Sequence, residues 1–336
     1  MRNYLFVGSF LSSKTGSKSI SEKLKRDLHE ELINIILVSK LKNKIFRLCE
    51  IIIGVLFYSY EKIHIDTFSG PAFNIAEIAA YFGKYRNKKI IITLHGGALP
   101  CFFKNSNQQR IKKLFKKADI VMTPSLYLQE FFKKNDLNVV YLPNSINIKS
   151  FPFDRAKIIP FSLLWVRAFT EIYNPELAVK TLYEVKKKFP LARLTMIGSD
   201  KGTMRQVLLL IKRLNLTNSI DIIGPVDNSK LFKYYQTHNI YLNTTSYESY
   251  GVAVMEAASC GIPIVSTSVG ELPYLWCSGT NIILIDNLDE IKMAAAVNSL
   301  LSSNELCDKL SKNARLIAEN YDWDSVKNKW MKLLND

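Results

Sequence analysis

The sequence predicts an α/β protein made of two doubly wound domains. Short β-branched runs alternate with amphipathic segments of 10–18 residues, a pattern typical of parallel sheets covered by helices on both faces. Twelve such runs are too many for one sheet, and residues 144–160 have the Asn, Ser and Pro content of a linker. We therefore expect domains at 1–150 and 151–321 that face one another across a cleft lined by the carboxyl ends of the strands.

Six candidate strands precede the linker and six follow it. They are residues 4–7, 33–38, 63–66, 90–93, 119–123, 139–142, 161–166, 193–198, 219–224, 239–244, 262–266 and 282–285. A final helix is predicted at 322–336, capped by Asp322 or Asp324. We expect this helix to return to the N-terminal domain.

Charge is unevenly distributed along the 336 residues. Residues 1–150 carry 24 Lys and Arg against 11 Asp and Glu, whereas 151–336 carry 21 against 19. The first half therefore suits a polyanionic partner: nucleic acid, anionic lipid or a phosphorylated substrate. An ordinary lysine-rich surface is the alternative. No nucleic-acid-binding module is recognisable, so nucleic acid ranks last.

The cysteine content and the N-terminus indicate a cytoplasmic chain. Five scattered cysteines without a CxxC pair suggest neither a disulfide framework nor a zinc site. The N-terminal residues 1–9 resemble a buried strand more than a signal peptide. The longest apolar stretch, 51–60, is far shorter than the roughly 20 residues of a spanning helix. We expect nothing to cross a membrane.

Two carboxylates in the stretch 248–270 predict a ligand site. Glu248 follows a strand at its carboxyl end, and a helix comes next that ends at Gly261, two residues before Pro263. The helix amides near 250–253 are suited to an anion such as a diphosphate. Glu256, about one turn further, can accept two hydroxyl hydrogen bonds from a ribose. The alternative is a capping acid followed by a surface glutamate.

Residues 224–275 resemble the donor-binding half of retaining glycosyltransferases of family 4, which have the GT-B fold with two Rossmann-like domains. The E-x7-E motif of that family matches Glu248 and Glu256. Weaker similarities follow in the family's order across essentially the whole chain. They are a glycine loop at 13–28, a histidine loop at 93–97, an Ala-Asp…Pro-Ser segment at 118–132 and an interdomain segment at 141–147.

The resemblance implies a role for each matched residue. Glu256 would hold the nucleotide ribose, Glu248 would contact hydroxyls of the donor sugar, and His95 would hydrogen-bond that sugar. For His95 the alternative is an ordinary loop histidine. Further donor contacts fall on the amides of Gly16 and Ser17, on the loop containing Val226, which lies near the base, and on the helix start. The helix-start residues are Ser249, Tyr250, Gly251 and Val252.

The cations depart from the family pattern. Arg167 matches the family's phosphate-binding arginine, whereas the lysine expected five residues later is missing. Ile172, Tyr173 and Asn174 occupy that region. Lys201 is our candidate replacement. The only Asp-x-Asp lies at 322–324, in a helix start, so we expect no metal and no cofactor beyond the nucleotide diphosphate sugar as co-substrate.

The expected function is that of a retaining, metal-independent hexosyltransferase in cell-surface polysaccharide or glycolipid biosynthesis. UDP is the favoured carrier and GDP the next. The acceptor, a glycan or a polyprenyl-diphosphate-linked chain, would bind the N-terminal domain. Residues 40–62, basic and then apolar, suit a peripheral contact with an anionic membrane, or form a buried helix. The alternatives are a GT-B epimerase, an inverting transferase and an inactive transferase that acts as a scaffold.

Overall fold

The computed structural model describes residues 2–10, 20–31, 33–105, 108–155 and 157–335. The chain divides into two units: Met1–Ser145 with Lys329–Asp336, and Ile146–Asn328.

The first unit contains one parallel sheet and its helices. Its strands are β1 (Arg2–Val7), β2 (Ile33–Val38), β3 (Lys62–Thr67), β4 (Lys89–Leu94), β5 (Ile120–Thr123) and β6 (Val140–Tyr141). Its helices are α1 (Ile20–His29), α2 (Lys44–Phe57), α3 (Pro71–Tyr85), α4 (Leu99–Asn105), α5 (Gln108–Lys117) and α6 (Leu126–Lys133).

The second unit contains the other sheet. Its strands are β7 (Ser162–Val166), β8 (Arg193–Ile197), β9 (Ile220–Ile223), β10 (Ile240–Asn243), β11 (Ile264–Thr267) and β12 (Ile283–Ile285). Its helices are α7 (Pro175–Lys186), α8 (Met204–Arg213), α9 (Asn228–Thr237), α10 (Val252–Cys260), α11 (Leu272–Leu275), α12 (Glu290–Leu301) and α13 (Asn304–Glu319). All twelve predicted strands are confirmed.

Both sheets are doubly wound and parallel, and in each the side on which successive strands are added reverses once. The first has the order β2-β1-β3-β4-β5-β6, so this switch point lies between β1 and β3. The second has the order β9-β8-β7-β10-β11-β12, with its switch between β7 and β10. In open α/β sheets the crevice at the carboxyl ends of the two switch-point strands is where ligands bind.

The strands are buried because helices cover both faces of each sheet. Every residue of β7 and of β10 is buried, as is every residue of β4 after Lys89. Continuous apolar strands of this kind are typical of parallel sheets and explain why β-branched runs marked them in the sequence. Helix α10 is buried from Ala253 to Cys260, which is unusual for a helix that carries a glutamate.

The last helix, α14 (Trp323–Asn335), begins in the second unit and ends in the first. Within the first unit, the indole nitrogen of Trp330 donates to the carbonyl of Pro143 at 3.1 Å. The hydroxyl of Tyr4 donates to the carbonyl of Leu334 at 2.9 Å. The final residues are thus fixed to the first sheet by hydrogen bonds as well as apolar packing. Within the described ranges, every helix is too short or too polar to span a bilayer.

Candidate active site

The switch point of the second sheet holds a buried ion pair. Arg167 directly follows β7, and Glu248 lies in the loop between β10 and α10. The Nη2 atom of Arg167 lies 2.5 Å from Oε2 of Glu248, and the two side chains are only 11% and 10% exposed. Asn243, at the end of β10, accepts from the same nitrogen at 3.2 Å. The topology of the sheet therefore brings all three side chains together.

Burial and the ion pair shift the pKa of the Arg167 guanidinium in opposite directions. Burial lowers the pKa of Arg167, but the carboxylate of Glu248 outweighs it, so the pKa lies above its ordinary value. The cation is permanent at every pH at which the protein is folded. It is a fixed positive charge of the kind that stabilises a leaving phosphate.

The backbone fixes Glu248 as firmly as the ion pair does. The carbonyl oxygen of Glu248 accepts from the amide of Glu271 at 3.0 Å. Gly270 allows this approach: it has φ of +57°, and a Cβ there would lie 1.9 Å from the carbonyl oxygen of Glu248. Any larger residue would displace the loop, so this glycine determines where the carboxylate lies.

The other oxygen of Glu248 faces the start of α10. Its Oε1 accepts from the amides of Ser249 at 3.2 Å and Tyr250 at 3.4 Å. Gly251 precedes the helix with φ of +86°, and Val252 is the first helical residue. The amides of this first turn and the helix dipole favour a negatively charged ligand.

Glu256 lies on α10 with only 4% of its surface exposed. Its Oε1 accepts a hydrogen bond of 3.0 Å from the side-chain amide of Asn228. Asn228 opens α9 directly after the loop 224–227, which contains the half-buried Val226. A buried carboxylate is thus connected to the loop that we expected near the nucleotide base.

The region of the missing lysine is occupied by an aromatic ring. Tyr173 packs over Arg167, with the guanidinium carbon 4.9 Å from the ring centroid. Lys201 lies in the loop after β8, where its amide donates to the carbonyl of Phe169 at 2.9 Å and its side chain is exposed. The backbone of the loop carrying Lys201 is therefore hydrogen-bonded to Phe169, two residues after Arg167 in the sequence.

The switch point of the first sheet also holds buried charge. Asp66 lies near the carboxyl end of β3, and its Oδ1 lies 3.0 Å from Nε2 of His95 and 3.4 Å from Nε2 of His64. The hydroxyl of Ser21 donates to Oδ2 of Asp66 at 2.6 Å. His95 stacks on Phe68, with ring centroids 5.3 Å apart.

The environment of Asp66 favours its ionised form. Burial raises the pKa of Asp66, but the positive charge of His95 and the hydrogen bonds from both histidines outweigh that effect. The pKa of Asp66 therefore lies well below its ordinary value. The carboxylate fixes the ring of His95 by this contact.

Sequence reasoning missed Asp66, His64, Asn243, Asn228 and the contact of Tyr173 with Arg167. A usable signal existed for Asp66 and Asn243, because each is a polar residue at or near the carboxyl end of a buried strand. Gly16 and Ser17 lie outside the described residues. In the part of the chain that the structure describes, no three His, Cys, Asp or Glu side chains are grouped to hold a metal ion.

Residues 154–317 match the family model described as "Glycosyl transferases group 1". A curated relative, D-inositol 3-phosphate glycosyltransferase of Xylanimonas cellulosilytica, is 24% identical over 156 residues. The match covers 46% of this chain and 37% of the relative. The chain thus spans well under half the length of this relative.

Two solved structures resemble the whole chain. Sucrose-phosphate synthase from Thermosynechococcus elongatus has a TM-score of 0.82 at 16% identity, covering 100% of this chain and 98% of that one. HepE of Anabaena, in complex with UDP and glucose, has a TM-score of 0.79 at 14% identity and covers 100% of both chains. The fold is GT-B. The two parallel six-stranded sheets are its two Rossmann-like domains, and the ion pair of Arg167 and Glu248 lies in the part that matches the family model.

Proposed function

We propose that this GT-B protein transfers a sugar from a nucleotide diphosphate sugar to an acceptor hydroxyl, retaining the anomeric configuration without a metal ion. One observation carries the proposal. A permanent cation, Arg167, and a buried carboxylate, Glu248, meet at the switch point beside the N-terminus of α10, and Glu256 follows on the same helix. The group 1 match over residues 154–317 supports it.

The donor is proposed to lie along α10. Glu256 has the burial and position to accept hydrogen bonds from ribose hydroxyls, and the first-turn amides and Arg167 would hold the diphosphate. Glu248 would contact the sugar, because carboxylate oxygens accept more than one hydrogen bond each. UDP is the favoured carrier, which the UDP and glucose bound by the similar HepE support. GDP is the next candidate.

In the proposed step, the bond between the anomeric carbon and the diphosphate oxygen breaks. The acceptor oxygen bonds to the same face of that carbon, and its proton passes to the departing phosphate oxygen. Arg167 and the amides of α10 stabilise the charge that develops on the phosphate, since fixed donors need no reorganisation. His95, oriented by Asp66, would hydrogen-bond the donor sugar, and Gly16 and Ser17 would add phosphate contacts.

The acceptor is proposed to bind the first unit. The excess of positive charge in residues 1–150, 24 Lys and Arg against 11 Asp and Glu, favours a glycan on a polyprenyl diphosphate or another anionic lipid. We propose on this basis a role in cell-surface polysaccharide or glycolipid synthesis, on the cytoplasmic face of the membrane.

The experiment is donor turnover by the purified chain, with methanol as the small acceptor. From a panel of UDP-sugars and GDP-sugars, we expect release of free nucleotide from one donor, and a methyl glycoside with the donor's anomeric configuration by proton coupling constants. Glu248→Gln should abolish release, whereas Glu305→Gln, on the exposed first turn of α13, should not change it. A product of the opposite configuration would exclude retention.

A scaffold function is the second candidate, and the position of Tyr173 over Arg167 favours it. A partner protein without activity can lose the lysine and keep the fold. Nucleotide binding without release from any donor of the panel, alone or with membrane lipid extract, would favour the scaffold.

A further inference from the structure

Helix α2 (Lys44–Phe57) turns apolar side chains to solvent. A surface helix normally buries one apolar stripe and exposes a polar face. Helix α2 does bury Ile51, Gly54 and Val55 against the first unit. Its outward residues at a spacing of four, which we call the α2 stripe, are Ile45, Cys49, Ile53 and Phe57. Ile45, Ile53 and Phe57 are 72%, 50% and 76% exposed, and Cys49 is also exposed.

Neighbouring side chains widen the α2 stripe into a patch. Leu41, Phe46 and Tyr58 are 44%, 63% and 42% exposed. On α3, which packs against α2, Tyr81 and Tyr85 are 57% and 76% exposed. Contiguous apolar surface of this kind is uncommon on a monomer and marks an interaction site.

Lysines border the patch. Lys40, Lys42 and Lys44 are exposed at its N-terminal end. The one carboxylate of α2, Glu50, accepts from the amides of Lys40 and Leu41 at 2.9 and 3.2 Å, so it is engaged by backbone. Helix α5, which packs against α3, adds the exposed Lys113 and Lys116.

We infer that the α2 stripe and its lysines dock the first unit on the surface of an anionic lipid bilayer. Interfacial helices combine aromatic and aliphatic side chains that enter the acyl boundary with lysines that reach the head groups. At 14 residues, α2 is about 20 Å long, enough to lie in the interface and too short to cross it.

A bilayer suits this surface better than a second copy of the chain. A two-fold interface through the α2 stripe would pair each patch with an identical one, which supplies no anionic groups for the lysines of either copy. Anionic head groups instead neutralise those lysines and attract them to the surface. The biological purpose of the docking rests on the proposed function, because it would bring the transferase to a lipid-linked acceptor. The docking itself rests on the surface of the first unit.

The test is co-sedimentation of the full chain with vesicles. We expect binding to phosphatidylcholine containing about 30% phosphatidylglycerol to exceed binding to phosphatidylcholine alone by about tenfold or more. Ile53→Ser with Phe57→Ser should weaken partitioning by about tenfold or more, because both apolar contacts are lost. Lys42→Glu with Lys44→Glu should weaken it similarly.

The matched control is Leu191→Ser with Leu208→Ser in the second unit, where the two leucines are 76% and 47% exposed. This pair should sediment like the unchanged chain. Weak binding that is equal for both vesicle types, or unchanged binding by the Ile53 and Phe57 variant, would overturn the docking. So would a dimer that this variant converts to a monomer, because it would assign the stripe to a second copy.

A nucleotide titration on the same preparations separates this inference from the proposed function. Each variant should bind nucleotide like the unchanged chain, and an unchanged circular dichroism melting curve should show that the first unit folds. Vesicle binding by a chain that binds no nucleotide would leave the docking in place and remove the transferase. Nucleotide binding without vesicle binding would remove the docking and leave the proposed transferase in place.

Discussion

At the switch point of the first sheet the central charge is a carboxylate, Asp66, which lies between two histidines. At the switch point of the second sheet it is a guanidinium, Arg167, which faces Glu248. Both clusters are buried, and both lie at the carboxyl ends of neighbouring parallel strands. They differ in the basic group: the guanidinium of Arg167 keeps its charge at every pH at which proteins are folded, whereas the groups beside Asp66 are imidazole rings.

This difference separates two kinds of ligand contact. A permanent cation in a buried site suits a group that is always charged, such as a diphosphate. A histidine held by a carboxylate through one ring nitrogen can form a hydrogen bond with a neutral sugar hydroxyl through the other. Four substitutions, in descending order of the loss that we expect, test whether the two clusters differ in this way.

Removing the permanent cation should cost most. Arg167→Met leaves Glu248 buried without its charge partner, which costs about 3–5 kcal/mol of unfolding free energy. It should also abolish nucleotide binding. Urea unfolding and nucleotide titration measure the two effects.

The matched control is Arg193→Met, which breaks an arginine–aspartate pair whose side chains are 53% and 57% exposed. Exposed pairs contribute about 1 kcal/mol or less. Equal losses of unfolding free energy for Arg167→Met and Arg193→Met would mean that the buried pair of Arg167 and Glu248 stabilises the fold no more than an exposed pair.

Gly270→Ala tests the backbone contact that holds Glu248. The added Cβ would lie 1.9 Å from the carbonyl oxygen of Glu248, and the left-handed backbone costs about 1–2 kcal/mol for any L side chain. With the displacement added, we expect a loss of about 2–5 kcal/mol in thermal or urea unfolding.

Gly279→Ala measures the cost of the left-handed backbone alone, because Gly279 has φ of +76° and no atom within 4 Å of its added Cβ. It should cost about 1–2 kcal/mol and leave nucleotide binding unchanged. If both alanine variants bind nucleotide like the parent, the loop 248–271 does not position the donor.

Asp66→Asn tests the titratable cluster. The shape is kept and the charge is lost, so we expect a loss of about 1–3 kcal/mol at about pH 7. The pKa of Asp66 is lowered in the folded protein, so its contribution is full above the unfolded value of about 4 and is lost as the pH falls. The stability gap between parent and Asp66→Asn should therefore narrow as the pH falls from about 4 towards 3.

The control is Asp221→Asn, which changes an exposed carboxylate on β9. Its small stability gap should vary little with pH. A gap for Asp66→Asn that stays constant between about pH 7 and pH 3 would show that the charge of Asp66 does not stabilise the fold.

Tyr173→Leu should have the smallest effect. It keeps an apolar side chain beside Arg167 and removes the aromatic face, a contact worth about 0.5–2 kcal/mol. We expect nucleotide affinity to fall by about threefold to tenfold in calorimetry. Tyr183→Leu is the control, because its ring carries Lys187 at 5.2 Å on the surface; an equal fall there would contradict a specific role for Tyr173.

The sequence predicted the second site better than the first for a physical reason. Glu248 and Glu256 lie in one strand–turn–helix segment, so their spacing alone indicates that they belong together. Asp66 lies on β3 and His95 directly after β4, and they meet because β3 and β4 pair with Asp66 beside Thr93. The position of Asp66 near a strand end was readable from the sequence, but strand register is not, so its pairing with His95 could not be predicted.

The fold was predictable because buried parallel strands are continuous apolar runs. The α2 stripe was predictable only in part. The composition of residues 40–62 indicated an apolar helix beside lysines, but both faces of α2 are apolar. Which residues pack against the sheet and which face solvent depends on the tertiary position of the helix.

The most direct test is calorimetric titration of the chain with UDP, GDP and ADP, repeated on Glu256→Ala and on the exposed-helix control Glu305→Ala. We expect one nucleotide, with UDP as the favoured candidate, to bind the parent and Glu305→Ala with equal affinity. The same nucleotide should not bind Glu256→Ala. Absence of binding by all three nucleotides, or equal binding by Glu256→Ala, would contradict a donor site on α10.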